Sequence, residues 1–306
     1  MWSAILSPDF FAAILRTATP ILFATLAAGV AAKAGITNMA LEGIMLFSAL
    51  FGVFFSSMTH SAFWGLLITV AIGAFIGLFL AFFVLNLKTD EILAAIAINL
   101  AATGGTVLLL VAFSGDRGVS SSIKSVSAPN ITIPFIEKIP FIGQVLSGQN
   151  ILSWLSLLAV VVMHLFLYKT PLGLSIRSVG ENKDAAESVG INSRKVQYIA
   201  LAISGALAAF GGFYLSGGYM NMFTKDMSGG RGFIALAASS MGGNTPIGGF
   251  LVSLLFGMAQ ALANIMQLKA VMPYELILMV PYLATLIGLG VYYYAQKKKK
   301  ERLSGK

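Results

Sequence analysis

Long apolar stretches recur along this chain, each about as long as the hydrocarbon core of a membrane is thick. A helix needs about 20 apolar residues to cross that core. Eight stretches come close to or exceed that length: Phe10–Ala31, Ile36–Ser57, Ala62–Leu85, Ile92–Phe113, Ile151–Tyr168, Val196–Leu215, Ile247–Met266 and Tyr274–Tyr294. A ninth, Phe233–Gly242, is too short to cross alone as a regular helix, which leaves a half-helix or a re-entrant segment. The pattern predicts an all-α, polytopic transmembrane helix bundle.

Charged residues are scarce in this sequence. Only 10% of the 306 residues are charged, against about 25% in soluble domains, which indicates an integral membrane protein. There is no cysteine, so disulfides and thiolate metal sites are excluded. The tail Lys297–Lys300 is better explained as a topological anchor than as a nucleic-acid contact. No loop is long enough to bury its own core, so residues 1–306 are predicted to form one transmembrane domain.

The basic residues predict the orientation of the bundle. Lys33, Lys88, the cluster Lys169–Lys195 and the tail lie on alternate turns, and short cytoplasmic loops are enriched in Lys and Arg. The N-terminus is therefore predicted to lie outside and the C-terminus in the cytoplasm. Nine spans satisfy this orientation if Phe233–Gly242 counts as a crossing. The longest loop, residues 114–150, is then external.

One charged segment interrupts the apolar sequence at residues 169–195, and its centre is predicted to be a short helix. Asn182 is a good N-cap, and Asp184 lies in the first turn, where the helix dipole favours an anion. Gly190 stands where a left-handed C′ residue ends a helix. Ile191 then occupies C″ and is expected to pack on Ala186 at C3.

The same helix is predicted to have one apolar face, formed by Ala185, Ala186 and Val189. Two turns of helix are not stable alone in water. The capped ends and the small apolar side chains fit insertion into a groove on another protein. The alternative is an amphipathic loop on the lipid headgroups, and the residues alone leave both open.

Two motifs in this chain resemble those of a known permease family. DAAESVG, residues 184–190, is similar to the EAA-x-x-x-G cytoplasmic loop of ABC-importer permeases, within a wider matching pattern at residues 179–192. Aspartate stands here in place of the leading glutamate of that motif. The longer family motif also contains a downstream proline, whereas no proline follows Ala200-Leu201 in this chain. GITNMALEGIML, residues 35–46, resembles the nucleoside-type branch of the permeases for simple sugars, branched-chain amino acids and nucleosides. The resemblance extends over nearly the whole chain.

The resemblance implies a permease subunit of an ATP-driven importer in a bacterial plasma membrane. Such a subunit forms half of the translocation path for a small polar solute. It is not an enzyme, and it needs no cofactor. The implied solute is a nucleoside, with simple sugars or a riboflavin-type solute as alternatives. The implied partners are an ABC ATPase, a second, related permease and an extracellular lipoprotein or periplasmic receptor, besides membrane lipid. The resemblance assigns docking on the ATPase to Gly180, Glu181, Asn182, Asp184, Ala185, Ala186, Val189, Gly190 and Ile191.

Several polar residues lie inside the predicted spans, where polar groups are costly. Thr37, Asn38 and Glu42 are candidates for lining the translocation path or for holding a broken helix beside it. Glu42 has the alternative role of stabilising its own helix start through the dipole. Asn99 is either a pore-facing amide or a partner in an interhelical hydrogen bond. Asn244 follows the short apolar stretch and is a candidate for a gate.

Other functional classes find little support in the sequence. An ion-coupled secondary transporter is an alternative. Such a transporter needs acidic side chains within its spans to relay protons or sodium ions, and Glu42 is the only acidic residue deep in a predicted span. A membrane enzyme is disfavoured because no paired carboxylates, HExxH motif or G-x-S-x-G motif is present. A Walker A motif is also missing, since the run from Gly229 to Gly232 lacks the Lys-Ser/Thr that binds phosphate.

Overall fold

A computed structural model of the chain describes residues 7–123, 125–132 and 142–268, together with residues 283, 288, 290 and 294. The predicted span Tyr274–Tyr294 and the basic tail lie almost wholly outside these residues. The helices are α1 Pro8–Lys33, α2 Leu41–Thr59, α3 Ala62–Leu85, α4 Glu91–Ser114, α5 Ile142–Leu146, α6 Ile151–Lys169, α7 Pro171–Glu181, α8 Lys183–Ser188, α9 Ser193–Phe213, α10 Arg231–Met241 and α11 Pro246–Leu268. The strands are β1 Asn130–Ile131 and β2 Gln149–Asn150.

Seven helices in the described part of the chain are long and apolar enough to cross a membrane. They are α1, α2, α3, α4, α6, α9 with its π-helical extension Tyr214–Tyr219, and α11. The seven long stretches predicted from sequence within the described residues are thus confirmed as helices, and the chain is a multi-pass membrane protein. Phe233–Gly242 is confirmed as part of a short helix, α10.

Side-chain caps set where several helices begin. Asp90 accepts hydrogen bonds from the backbone nitrogens of Ile92 and Leu93 at the start of α4, at 2.9 and 3.0 Å. Asn150 accepts one from Leu152 at the start of α6, and Asn192 accepts one from Lys195 at the start of α9. Each cap satisfies a backbone donor that a helix start leaves without a partner, which stabilises these boundaries.

The centre of the bundle is formed by α1 and α9, the two most buried spans. Helix α9 packs on α1, α2 and α3, and α11 packs along α1. Glycines make the contact between α3 and α9 possible: a Cβ atom at Gly77 would lie 2.2 Å from the carbonyl oxygen of Leu201, and one at Gly73 would lie 2.5 Å from that of Gly205. Small residues at four-residue spacing thus bring two backbones into contact.

The loop after α4 is held against the end of α9. Strands β1 and β2 pair antiparallel, with Asn130 opposite Asn150. Further along, Val119 forms a bridge with Thr224, and the backbone nitrogen of Ser120 donates to the carbonyl of Phe223 at 2.9 Å. The described parts of the loop at residues 114–150 and the chain after α9 therefore share one end of the bundle.

Two irregular segments enter the bundle from opposite ends. The first irregular segment follows α1 and ends where α2 begins, at Leu41. The predicted start of this span at Ile36 is therefore wrong by five residues. By then the chain is deep in the bundle, because Asn38 bonds Ser204, which is about 16 Å along α9 from its start. The second irregular segment leads from Thr224 to α10, which begins beside the first turn of α2 and ends near Gly29 of α1.

Candidate functional site

Glu42 joins the first turn of α2 to the start of α10. Its Oε1 accepts a hydrogen bond from the backbone nitrogen of Gly230 at 2.7 Å, and its Oε2 accepts one from Gly232, also at 2.7 Å. Gly230 has a φ of 75°, which suits a glycine at this helix start. Glu42 therefore stabilises the N-terminus of α10, a second helix, as well as lying in the first turn of its own helix, α2.

Asn99 holds the start of α2 against α4. Its Nδ2 donates to the carbonyl of Met39 at 2.9 Å, and its Oδ1 accepts from the backbone nitrogen of Gly43 at 2.8 Å. A Cβ atom at Gly43 would lie 2.8 Å from that same Oδ1, so only glycine permits this approach. The interhelical hydrogen bond considered for Asn99 is thus observed, and it fixes the point where α2 begins.

Asn38 ties the irregular segment to the centre of the bundle. Its side chain is fully buried, and its Nδ2 donates to Ser204 Oγ at 2.9 Å. Ser204 Oγ in turn donates to the carbonyl of Ala27 at 2.8 Å, and Asn38 Oδ1 accepts from the nitrogen of Ala40 at 3.1 Å. Non-helical backbone at membrane depth requires such partners within the protein.

Thr37 and Asn244 lie apart from this cluster. Thr37 is exposed, and its backbone nitrogen donates to Glu91 Oε2 at 3.1 Å. Asn244 follows the far end of α10, with a φ of 53°, and accepts from Ser239 Oγ at 2.9 Å. Asn38, Glu42 and Asn99 thus lie together, whereas Asn244 lies about 16 Å from Glu42, because the 11 residues of α10 separate them.

Three sets of contacts together form what we call the buried junction: those of Asn38 with Ser204, of Glu42 with residues 230–232, and of Asn99 with Met39 and Gly43. Sequence reasoning did not identify Ser204 or the two glycines as partners. The glycine run from Gly229 to Gly232 is a sequence signal for this contact, although the sequence alone suggests only a comparison with a phosphate-binding loop. Its actual role is to bring a helix start into contact with a carboxylate that is 188 residues earlier in the chain. Within the described ranges, no group of three or more His, Cys, Asp and Glu side chains could hold a metal ion.

The predicted capping of α8 is confirmed by its hydrogen bonds at both ends. Asn182 Oδ1 accepts from the backbone nitrogen of Ala185 at 3.0 Å. Gly190 has a φ of 85°; its nitrogen donates to the carbonyl of Glu187 at 3.0 Å, and the nitrogen of Ile191 donates to that of Ala186 at 3.1 Å. This pair of bonds is the Schellman motif expected when glycine occupies C′. Two turns of helix are thus fixed at both ends.

The predicted apolar face of α8 needs a correction. Ala186 is only 3% exposed, because α8 packs on α7 and α9 and turns this side chain toward its own chain. Ala185 is exposed, and Val189 is 77% exposed, the highest value among the large apolar side chains that protrude from the described structure. The prediction that all three share one outward face is wrong for Ala186. An exposed valine beside a capped helix still offers an apolar contact to another protein.

Known proteins similar to this chain identify its family. Residues 10–289 match the model of the family described as branched-chain amino acid transport system / permease component. The chain belongs to this permease family. The relatives below are named as permease subunits of ABC transporters, which are transport components and not enzymes.

Three relatives show how far the similarity of this permease extends. It is 33% identical to the guanosine ABC transporter permease protein NupQ of Bacillus subtilis, over 90% of this chain and 89% of the relative. It is 32% identical to the nucleoside ABC transporter permease protein NupC of Lactococcus lactis, over 91% and 90%. The glucose ABC transporter permease protein TsgB13 of Haloferax volcanii is 27% identical, over 83% and 73%. No solved structure matches the permease significantly.

Proposed function

We propose that this permease forms half of the path by which an ATP-driven importer moves nucleosides into a bacterial cell. The observation that carries the proposal is the similarity to the guanosine and nucleoside permeases, which spans about nine tenths of each chain. The match includes the length of chain that holds the buried junction and α8. A sugar is the second candidate, since the relatives also include a putative glucose permease at 31% identity and a glucose permease at 27% identity, each aligned over a smaller share of its chain.

The test is uptake by the reconstituted transporter. The permease, its partner permease and the ATPase are placed in liposomes with the receptor outside, and entry of labelled guanosine, uridine, glucose and riboflavin is measured. We expect entry of the nucleosides that requires ATP in the ATPase compartment and persists when ionophores dissipate ion gradients. Uptake of glucose alone would favour the second candidate, and uptake driven by an ion gradient without ATP would contradict the proposal.

Docking of the ATPase is proposed for the surface of α8 around Ala185 and Val189. Its support is geometric: both helix ends are capped, and the helix presents an exposed valine among the exposed polar residues Lys183, Asp184 and Ser188. Gly180 and Glu181 precede this surface. A Cβ atom at Gly180 would lie 2.2 Å from the carbonyl of Lys33, so this glycine fixes α7 against the end of α1.

The second permease is proposed to pack on α4. This helix is the least buried of the seven spans, and its exposed face includes Ala97, Ala101, Thr103 and Gly104. Exposed Leu93, Leu100 and Leu108 flank these small residues, so the small residues form a depression between large side chains. The exposed face of α3 presents the aromatic side chains of Phe75, Phe79 and Phe82. Small residues let another helix approach closely, so the depression on α4 favours a protein neighbour, whereas the aromatic face of α3 suits lipid.

The proposed topology has nine crossings, with the N-terminus outside and the C-terminus in the cytoplasm. Support comes from the path of the chain around α10. After α9, the chain starts at the end of the bundle that carries loop 114–150 and passes Glu42 at mid-depth. Helix α10 then ends near Gly29, which is close to the other end of α1. An irregular segment and a half-helix together thus make one crossing. The loop 114–150 would face the receptor that delivers the solute.

A further inference from the structure

A polar cavity of about 220 Å³ lies at the end of the bundle that carries loop 114–150. Three elements line it: α1 through Arg16, the hairpin of β1 and β2, and the π-helical turn through Tyr214 and Tyr219. None of its residues belongs to the buried junction or to α8. We call it the outer cavity.

Arg16 is the charged group of the outer cavity. It is the ninth residue of α1, about 12 Å along a helix that spans the membrane. Its Nε donates to Gln149 Oε1 at 3.3 Å, and within the described structure neither another hydrogen bond nor a carboxylate pairs with its guanidinium. The side chain of Arg16 is exposed, and ionisable side chains on membrane-spanning helices are rare and often mark a ligand or ion pathway. The two terminal nitrogens of Arg16 are thus available to a ligand.

The π-helical turn provides an aromatic surface next to Arg16. Tyr214 is only 1% exposed, whereas Tyr219 is 46% exposed, and their ring centroids lie 6.4 Å apart at an interplanar angle of 32°. A Cβ atom at Gly218 would lie 2.8 Å from Tyr214 Cδ2 and 3.3 Å from Asn150 Oδ1, so a larger residue would intrude on the cavity wall. Tyr214 supports the wall, and the ring of Tyr219 is accessible to a flat ligand. Single π-helical turns occur frequently at functional sites.

We propose that the outer cavity binds the base of a 6-oxopurine nucleoside, such as guanosine or inosine, before the solute enters the bundle. This inference rests on the proposed function. A guanidinium donates two parallel hydrogen bonds to the O6 and N7 acceptors of guanine, and a tyrosine ring stacks on any base. A cavity of about 220 Å³ is below the usual 300–1,000 Å³ of sites for whole drug-sized ligands, so it holds the base and leaves the ribose outside.

An acidic side chain of a receptor protein is the competing partner for Arg16. It would satisfy the guanidinium equally well. It would not use the concave polar wall or the accessible ring of Tyr219, and a base uses both. The observations therefore favour the small ring compound, and the receptor contact becomes an outcome of the test.

The test measures binding of tritiated nucleosides by equilibrium dialysis to the complete permease–ATPase complex in nanodiscs, without receptor and without ATP. Arg16→Gln removes the two parallel donors, so we expect the affinities for guanosine and inosine to fall about tenfold to a hundredfold. Adenosine, which has an amino group in place of O6, should change little. 7-Deazaguanosine, which lacks N7, should bind the wild type more weakly and lose less affinity in the variant than guanosine does.

Control variants separate the two contacts. Tyr219→Leu removes the stacking ring and should weaken all bases about tenfold, while Tyr219→Phe should preserve binding. Arg117→Gln removes an exposed arginine from the same outer loop, outside the cavity, and should leave every affinity unchanged.

Several results would overturn the proposal. Equal losses for guanosine and adenosine in Arg16→Gln would show that the variant acts through structure. Unchanged guanosine binding together with lost receptor co-purification would assign Arg16 to the receptor. If the wild type imports nucleosides with ATP but Arg16→Gln binds guanosine normally, the outer-cavity proposal fails while the proposed function stands. If the wild type imports no nucleoside, the proposed function fails and the cavity proposal with it.

Discussion

Glu42 Oε2 lies 2.7 Å from the backbone nitrogen of Gly232, and the two residues meet with no space for a side chain between them. A Cβ atom at position 232 would lie 2.5 Å from the backbone nitrogen of Glu42 and 2.7 Å from its Cα atom. Helices α2 and α10 therefore meet backbone to backbone. The negative charge of the carboxylate and the positive end of α10 stabilise each other across this contact.

Gly232→Ala should disrupt this contact. The added methyl group overlaps backbone atoms of α2, which cannot move aside as a flexible side chain would, and overpacking of this kind typically costs about 1–3 kcal/mol. We expect a lower melting temperature of the purified complex and reduced uptake. Gly105→Ala is the matched control, because a Cβ atom at Gly105 would meet only the ring of Phe47, at ordinary contact distances of 3.6 and 3.7 Å. An equal loss of stability in both variants would contradict the close packing described for α2 and α10.

Glu42→Gln tests the charge of the same contact with little change in shape. The neutral amide loses the interaction with the helix start, worth up to about 2 kcal/mol, and directs an N–H group at backbone donors. We expect impaired uptake while the ATPase still co-purifies. Glu91→Gln is the control, since Glu91 accepts a single bond from exposed Thr37 at the start of α4. Normal uptake by Glu42→Gln would mean that the carboxylate is dispensable for transport.

Helix existence and capping were predictable from the sequence, whereas the buried junction was not. Span lengths, the cap of Asn182 and the C′ role of Gly190 depend on neighbours within a few residues, so a local pattern contains them. The bonds from Glu42 to Gly230 and from Asn38 to Ser204 join residues more than 160 positions apart. Their pairing depends on how helices pack, which one sequence does not reveal.

The inward turn of Ala186 escaped prediction for a similar reason. A helix of six residues offers apolar side chains on more than one side, and the side that packs inward is chosen by α7 and α9. Local periodicity identified the apolar residues but did not say which of them contact the chain's own helices. The start of α2 was misplaced likewise, because the bonds of Asn99 to Met39 and Gly43 set it.

Gly104→Leu should prevent assembly with the second permease. The residue lies on the exposed face of α4, where a leucine has space in the isolated subunit but would separate two closely packed helices. We expect normal insertion and loss of the partner permease in co-purification. Phe79→Leu on α3, which exchanges one exposed apolar residue for another, should assemble normally. Retention of the partner by Gly104→Leu would place the permease interface on a different helix.

The orientation can be tested by cysteine labelling, because the chain contains no cysteine of its own. Ser127→Cys is on the loop predicted to be external, and Ser188→Cys is on α8; both positions are exposed. An impermeant maleimide added to intact cells should label Ser127→Cys, whereas Ser188→Cys should react only after the membrane is permeabilised. The reverse pattern would invert the topology.

Val189→Asp tests α8 as the docking site of the ATPase. Because this side chain is 77% exposed, a charge there should not disturb folding of the permease, but it would be buried without a partner in an apolar groove. We expect normal membrane insertion and nucleoside binding, with loss of ATPase co-purification and of uptake. Ala185→Leu should give the same phenotype by overpacking the groove.

Two further variants separate docking from folding. Val119→Asp makes the same chemical change at an exposed valine of the outer loop and should retain the ATPase. Ala186→Leu enlarges a side chain that is packed inside the permease, so it should lower thermal stability, which Val189→Asp leaves unchanged. If α8 instead lay on lipid headgroups, Ala185→Leu would strengthen its membrane contact and leave uptake intact. ATPase binding retained by both Val189→Asp and Ala185→Leu would therefore reject α8 as the docking site.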